Sequence, residues 1–265
     1  RYGMKEFWKF RSLLYELIMR DIKVKYRRSV LGLLWTILNP LLMMCVLYLV
    51  FSKLFRFDIE NYAIYVLSGQ VIFNFYQITT TDAMMAILNN STLIKKVYIP
   101  KYMLVHVKIL SGIVSLLASY LALLIVIVVT GGKLHMMYFF AIFPFLSIIM
   151  LALGVGLILA AVTVRFRDIL HLYGVFCTLL FYVTPIIYPF SILPGYMKNI
   201  VLLNPLTAII SVFRTIVLEG NFPQIGQLMY SIFVPAVLFL IGSVFFKKRE
   251  NTFILDLYSG ICLTP

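Results

Sequence analysis

The chain has 265 residues, of which 62% are hydrophobic and only 12% charged, and its formal net charge is +13. Soluble domains carry about 25% charged residues, so an ordinary water-soluble fold is excluded. Apolar stretches of about 20 residues, the length that crosses a hydrocarbon core of about 30 Å, recur from end to end. Such segments must satisfy their own backbone in lipid, and the alternating pattern of a membrane barrel is missing. The composition therefore predicts an all-α polytopic membrane protein.

Residues 1–29 form a basic cytoplasmic segment. Phe10, Leu13, Leu14, Leu17 and Ile18 recur at helical spacing, with Lys5, Glu6, Lys9 and Glu16 largely on the other side. This predicts an amphipathic helix over Lys5–Ile18, either lying in the membrane plane or walling a docking site for a cytosolic partner. The opening residues are too charged for the apolar core of a signal peptide, and the missing initiator Met points to a few residues ahead of Arg1. Lys23, Lys25, Arg27 and Arg28 close the segment, where they could hold a lipid phosphate or simply attract anionic lipid.

Six spans follow, over residues 30–51, 63–88, 103–130, 137–162, 169–190 and 228–246, within a transmembrane domain of residues 30–246. With the N-terminus inside, 18 of the 23 lysines and arginines fall on the cytoplasmic side, as the positive-inside rule requires. A seventh span over Asn199–Leu218 would strand the basic Lys247-Lys248-Arg249 end outside. That stretch is also broken at Asn204-Pro205 and carries Arg214, a charge costing about 2.5–3.5 kcal/mol at mid-bilayer. Residues 191–218 are better drawn as short re-entrant helices in the outer half of the membrane. Pro185, Pro189 and Pro194 punctuate the approach to them, each removing a helix hydrogen bond, as a shaped outer gate would need. Residues 247–265 form a cytoplasmic tail.

Between the second and third spans lies Asn89-Asn90-Ser91-Thr92-Leu93-Ile94-Lys95-Lys96-Val97-Tyr98-Ile99-Pro100-Lys101. Its amides, adjacent lysines and closing proline make a stiff basic surface suited to a cytosolic partner. Ser111, Ser115 and Ser119, and Ala152, Gly156 and Ala160, repeat every four residues and predict close helix contacts. Aromatics are plentiful, with 22 Phe and 17 Tyr. Phe73, Phe75 and Tyr76, and Phe176, Phe181, Tyr182 and Tyr188, would line a path for a neutral sugar polymer, or belong to the core and the interfacial belts.

Chemistry is sparse. Asp82, His106, His171 and Arg214 are the few ionisable groups near membrane depth, without a catalytic set or metal-ligand spacing. Cys45, Cys177 and Cys262 stand far apart and read as packing residues. No Gly-x-x-x-x-Gly-Lys-[Ser/Thr] loop is present, so the chain has no P-loop of its own.

Several ordered motifs carry a resemblance. Arg20–Trp35 followed by Asn39-Pro40-Leu41, then Leu93–Pro100, Val164-Arg165-Phe166-Arg167-Asp168, Thr184-Pro185-Ile186-Ile187-Tyr188-Pro189 and Asn204-Pro205-Leu206 resemble type-2 ABC exporter permeases. They resemble most the branch that exports O-antigen, teichoic acid and related glycans. The resemblance implies a homodimer of six-span subunits with two separate ATPase subunits, which carry the ATP and Mg; this chain needs no cofactor and no nucleic acid. It implies that Asn90, Leu93, Ile94, Lys95, Lys96, Tyr98 and Pro100 contact the ATPase, beside the Lys5–Ile18 helix. Residues Pro185, Pro189, Pro194, Asn204, Pro205 and Arg214 would form the outer gate of a continuous channel in the bacterial cytoplasmic membrane. The cargo would be a glycan on an undecaprenyl phosphate or diphosphate carrier. An exporter of drugs or small lipids is the related alternative, and a membrane-embedded lipid-modifying enzyme the distant one. The tail Phe253–Pro265 departs from the family pattern and has no reading.

Overall fold

A computed structural model describes residues 10–27, 32, 34–54, 61–96, 99–132, 135–250 and 253. Among them every regular element is helical, and the apolar runs of the sequence coincide with the longest helices. In chain order these are α1 (Arg11–Arg27), α2 (Leu34–Leu54), α3 (Tyr62–Met84), α4 (Ala86–Asn89), α5 (Ser91–Lys96), α6 (Lys101–Val129), α7 (Ile142–Thr163), α8 (Ile169–Val183), α9 (Gly195–Leu203), α10 (Pro205–Val217) and α11 (Ile225–Arg249). Short 3₁₀ turns over Met136–Ala141 and Phe190–Ile192 precede α7 and α9.

Three of the described helices, Lys101–Val129, Met136–Thr163 and Ile225–Arg249, are long and apolar enough to cross a membrane, or four elements if the bent α9–α10 pair counts as one. The run expected over 169–190 is helical only as far as Val183. Thr184 is already extended and Pro185 cannot continue the hydrogen-bond ladder. At 15 residues α8 is about 22 Å long. The stretch 63–88 likewise ends its helix at Met84, with a separate turn over Ala86–Asn89.

α3, α6, α7 and α11 pack side by side as the core, with α10 wedged among α3, α7 and α11. Glycines set how closely they approach. A Cβ on Gly242 of α11 would fall 2.3 Å from the Gly154 carbonyl oxygen of α7, so the two backbones touch and neither position admits a side chain without separating the helices. Ala152, Gly156 and Ala160 face the other way and are buried, with Gly156 against Ala83 and Ile109. The expected serine seam on α6 is not the close approach. Gly112 fills that role against Thr79, while Ser115 and Ser119 border a groove. Cys177 is buried beside Met84 and Tyr173, whose hydroxyl is 2.7 Å from Thr80 Oγ1, pinning α8 to α3.

α1 buries Leu14 and Leu17 and packs Phe10, Leu13 and Ile18 against the same core, beside α6. The amphipathic pattern is thus satisfied by protein. Asp21 pairs with Lys108 of α6, which fixes the helix along its length. Residues Lys5–Lys9, which would open that helix, lie outside the described residues.

Candidate functional site

The polar insert is helical over Ser91–Lys96. α5 follows a break at Asn90, where the Asn90 Nδ2 donates to the Ala86 carbonyl at 2.8 Å and its Oδ1 accepts from Arg20 of α1 at 3.2 Å. Asn90 thereby ties α1, α4 and α5 together. Leu93 and Ile94 are partly buried against the chain's own core, because a helix of only six residues must seat its apolar side somewhere. Thr92 and Lys96 are exposed, while Ile99 and Pro100 are buried. The Lys95 side chain and Tyr98 lie outside the described residues.

At the opposite end of the bundle, α9 and α10 meet at 90°. Asn204 makes the corner. Its Oδ1 accepts from the Leu206 N–H at 3.0 Å and Pro205 occupies the first helical turn, the usual chemistry of a helix start. Its Nδ2 donates to Thr184 Oγ1 at 2.9 Å, joining the corner to the end of α8. At 9 and 13 residues, about 14 and 20 Å long, neither helix can cross 30 Å alone.

Arg214 holds this region together. It is only 8% exposed and donates through Nε to Ser68 Oγ at 3.2 Å, through one terminal nitrogen to the Pro185 carbonyl at 2.7 Å, and through the other to the carbonyls of Tyr65 and Ile186, both at 3.1 Å. The guanidinium also lies 3.6 Å from the Tyr65 ring centroid. Among the described residues, dipoles and a ring face receive this charge, and no carboxylate does. Tyr62 and Tyr65 donate to the carbonyls of Ile187 and Tyr188 at 2.8 and 3.0 Å, and Tyr188 turns back to the Tyr182 carbonyl at 2.8 Å. The Thr184–Pro189 segment is thus bound by its backbone to α3 and α10. Gly69 makes the approach possible, since a Cβ there would stand 2.9 Å from an Arg214 nitrogen. Beside the cluster, a cavity of about 860 Å³ is lined by Pro189, Asn199, Thr207, Arg214, Glu219 and Tyr230. Pro194, just over one turn before Asn199, is exposed.

The expected aromatic lining divides. Phe73, Phe75 and Tyr76 are at most 4% exposed and pack inside the subunit, Phe73 edge-on to Phe181 at 5.2 Å. They line no surface of this subunit, because the inner face of α3 is the core of the bundle. Phe176 and Tyr182 are exposed on α8.

The open face of α3 mixes polar side chains with the exposed Ile78. Asn74, Gln77 and Thr81, at helical spacing, border a cavity of about 450 Å³ with Asn39 and Asp82. An adjoining cavity of about 280 Å³ shares Asn39 and Asn74 and adds Lys25, Trp35, Thr36 and Ser115. The two form one groove between α2, α3 and α6. The side chains of Asn39, Asn74 and Gln77 find no hydrogen-bond partner among the described residues. Of the basic residues expected near a lipid phosphate, Lys23 and Lys25 are exposed on α1 and Lys25 borders this groove; Arg28 and the Arg27 side chain lie outside the described residues. Asn74, Gln77 and Thr81 carried a signal in the sequence, a polar i, i+3, i+7 stripe within an apolar run.

A helical bundle with a basic helical insert, a broken helix pair and a groove bordered by polar side chains fits a membrane transport subunit. Residues 12–218 match the ABC-2 type transporter family, and the chain belongs to it. It is 30% identical over 254 residues to the O-antigen export system permease protein RfbA of Myxococcus xanthus, covering 94% of this chain and 97% of that protein. It is also similar to the permease of that name from Klebsiella pneumoniae, at 26% identity over 91% of this chain and 93% of the relative. The polysialic acid transport protein KpsM of Escherichia coli is 21% identical over 89% of this chain and 92% of its own length.

Proposed function

We propose that this chain is the permease subunit of an ATP-driven exporter that moves a lipid-linked polysaccharide outward across the bacterial cytoplasmic membrane. Relatives of nearly the same length, named for O-antigen and polysialic acid transport, support the cargo class. The structural observation that carries it is the groove of Asn39, Asn74, Gln77 and Thr81. Amides and hydroxyls at membrane depth do not face lipid. Their neutral donors and acceptors suit sugar hydroxyls, and Trp35 adds an apolar face for a sugar ring. An ion would call for charges or ordered carbonyls, and a small apolar drug for an apolar pocket.

In this reading six helices span the membrane, α2, α3, α6, α7, α8 and α11, with both termini cytoplasmic. The short α8 is completed by the Thr184–Pro189 segment. α9 and α10 are a re-entrant pair whose Arg214, Asn204, Pro185 and Pro189 form the outer gate, with irregular backbone tolerated at depth because protein covers it. Two copies enclose the path, the groove of each facing it, with Phe176 and Tyr182 of α8 beside it. Lys23 and Lys25 wait at the cytosolic mouth for the phosphate of an undecaprenyl-linked carrier. Two ATPase subunits, which bind ATP and Mg, dock on α5 and α1 through Lys95, Lys96 and Tyr98, while Asn90, Leu93, Ile94 and Pro100 hold that surface in place. The chain itself is a transport subunit and hydrolyses nothing.

Asn74→Ala with Gln77→Ala tests the cargo path. Each lost hydrogen bond contributes about 0.5–1.5 kcal/mol, so export is expected to fall about 5- to 150-fold while ATPase assembly and protein abundance are unchanged. Export at the parental rate would remove the groove from the path.

A further inference from the structure

The end of α11 and the start of α6 cap each other. The Lys101 backbone N–H, the first of α6, donates to Glu250 Oε1 at 3.2 Å, and the Lys101 ammonium donates to the Glu250 carbonyl at 2.7 Å. Helices leave donors unpaired at their N-termini and carbonyls at their C-termini. Here each end is satisfied by a residue 149 positions away in the sequence. Pro100 supplies no side-chain cap of its own. Phe253 closes the joint. It is 1% exposed, its ring meets Phe246 edge-on at 5.2 Å, and the Lys101 ammonium lies 5.6 Å from its centroid. Lys101 and Glu250 are 8% and 6% exposed.

Lys101 lies five residues beyond the end of α5. α11 is in backbone contact with α7 at Gly242 and Gly154, and its first turns reach the α9–α10 corner, where Tyr230 donates to the Leu203 carbonyl at 3.0 Å. α11, a 25-residue helix with Pro235 inside it, thus runs from the joint at one end of the bundle to the α9–α10 corner at the other.

We infer that Lys101, Glu250 and Phe253 form a transmission joint that carries displacement of the coupling segment into α11. They are positioning residues and touch neither cargo nor nucleotide. The inference rests on the reading of α5 as the ATPase contact. It also gives the first residue of the tail a role, since Phe253 seats the end of α11 on α6.

The test uses the permease–ATPase complex in membranes, with export, ATP hydrolysis and complex abundance measured together. Glu250→Ala is expected to lower export at least about 5-fold, the lower bound of ordinary coupling energies, while the assembled complex keeps hydrolysing ATP. Glu250→Gln, whose amide oxygen still accepts from Lys101, is expected to restore most export. If Glu250→Ala fails to accumulate, Phe253→Leu, which keeps an apolar group and loses the ring face, is expected to show the same split. Parental export in Glu250→Ala at equal abundance overturns the joint, as does a loss of export matched by equal losses of hydrolysis and abundance in both variants. Failure of the underlying reading shows separately, as Lys95→Glu with Lys96→Glu leaving ATPase binding intact.

Discussion

Arg214→Met is expected to loosen the broken-helix region and to abolish controlled export. Methionine roughly fills the space but donates nothing, so the Pro185 and Ile186 carbonyls lose their strongest partner while staying buried. Each such group costs about 1–3 kcal/mol. A total of about 3 kcal/mol corresponds to roughly 6–12 °C in Tm for a chain of this size, measurable by thermal unfolding of the purified protein. Arg214→Lys is expected to recover only part of that loss. A compact ammonium cannot reproduce the planar fork that reaches Ser68, Tyr65, Pro185 and Ile186 together. With the Thr184–Pro189 segment released, proteoliposomes carrying Arg214→Met should leak a small hydrophilic dye that parental vesicles retain. Retention of both Tm and dye would show that the arginine is no structural centre.

Lys95→Glu with Lys96→Glu is expected to abolish export through a different route. Lys96 is exposed on α5, far from the Arg214 cluster, so its reversal leaves the fold intact. A reversed charge at a docking surface turns attraction into repulsion, and such juxtaposition costs several kcal/mol. The ATPase subunit should therefore fail to co-purify, with export reduced at least about 100-fold and the permease's Tm unchanged. Binding that recovers at low salt would not fit, since weaker screening deepens a repulsion.

Much of this was legible in the sequence. Asn204-Pro205 marked the 90° corner because a proline after a capping residue starts a new helix wherever it stands. Arg214 stood out as a charge too costly to leave in lipid, yet three of its four hydrogen-bond acceptors are backbone carbonyls of segments far off in the chain, and these have no residue-type signature. The aromatic lining failed on α3 because Phe73 and Tyr76 share the inner face, whereas Asn74, Gln77 and Thr81 share the open one. Residue type suggested a lining, but helical phase decides which side chains border the cavity. Leu93 and Ile94 also rest on the core beneath α5, a contact with no signature in the insert's own sequence. Glu250, a lone acid after a basic run, gave no sequence signal, since its role depends on where α6 begins. The family resemblance in the ordered motifs agrees with the match over residues 12–218.

If this chain moves a lipid-linked glycan out of the cytosolic leaflet, as proposed, its loss traps that cargo inside. Mass spectrometry of lipid extracts from cells depleted of the protein is then expected to show an accumulated undecaprenyl-linked glycan that a glycosidase added outside spheroplasts cannot reach, reversed by the parental chain but not by Lys95→Glu with Lys96→Glu. Unchanged lipid-linked glycans on depletion, or accumulation in the outer leaflet, would contradict the proposal.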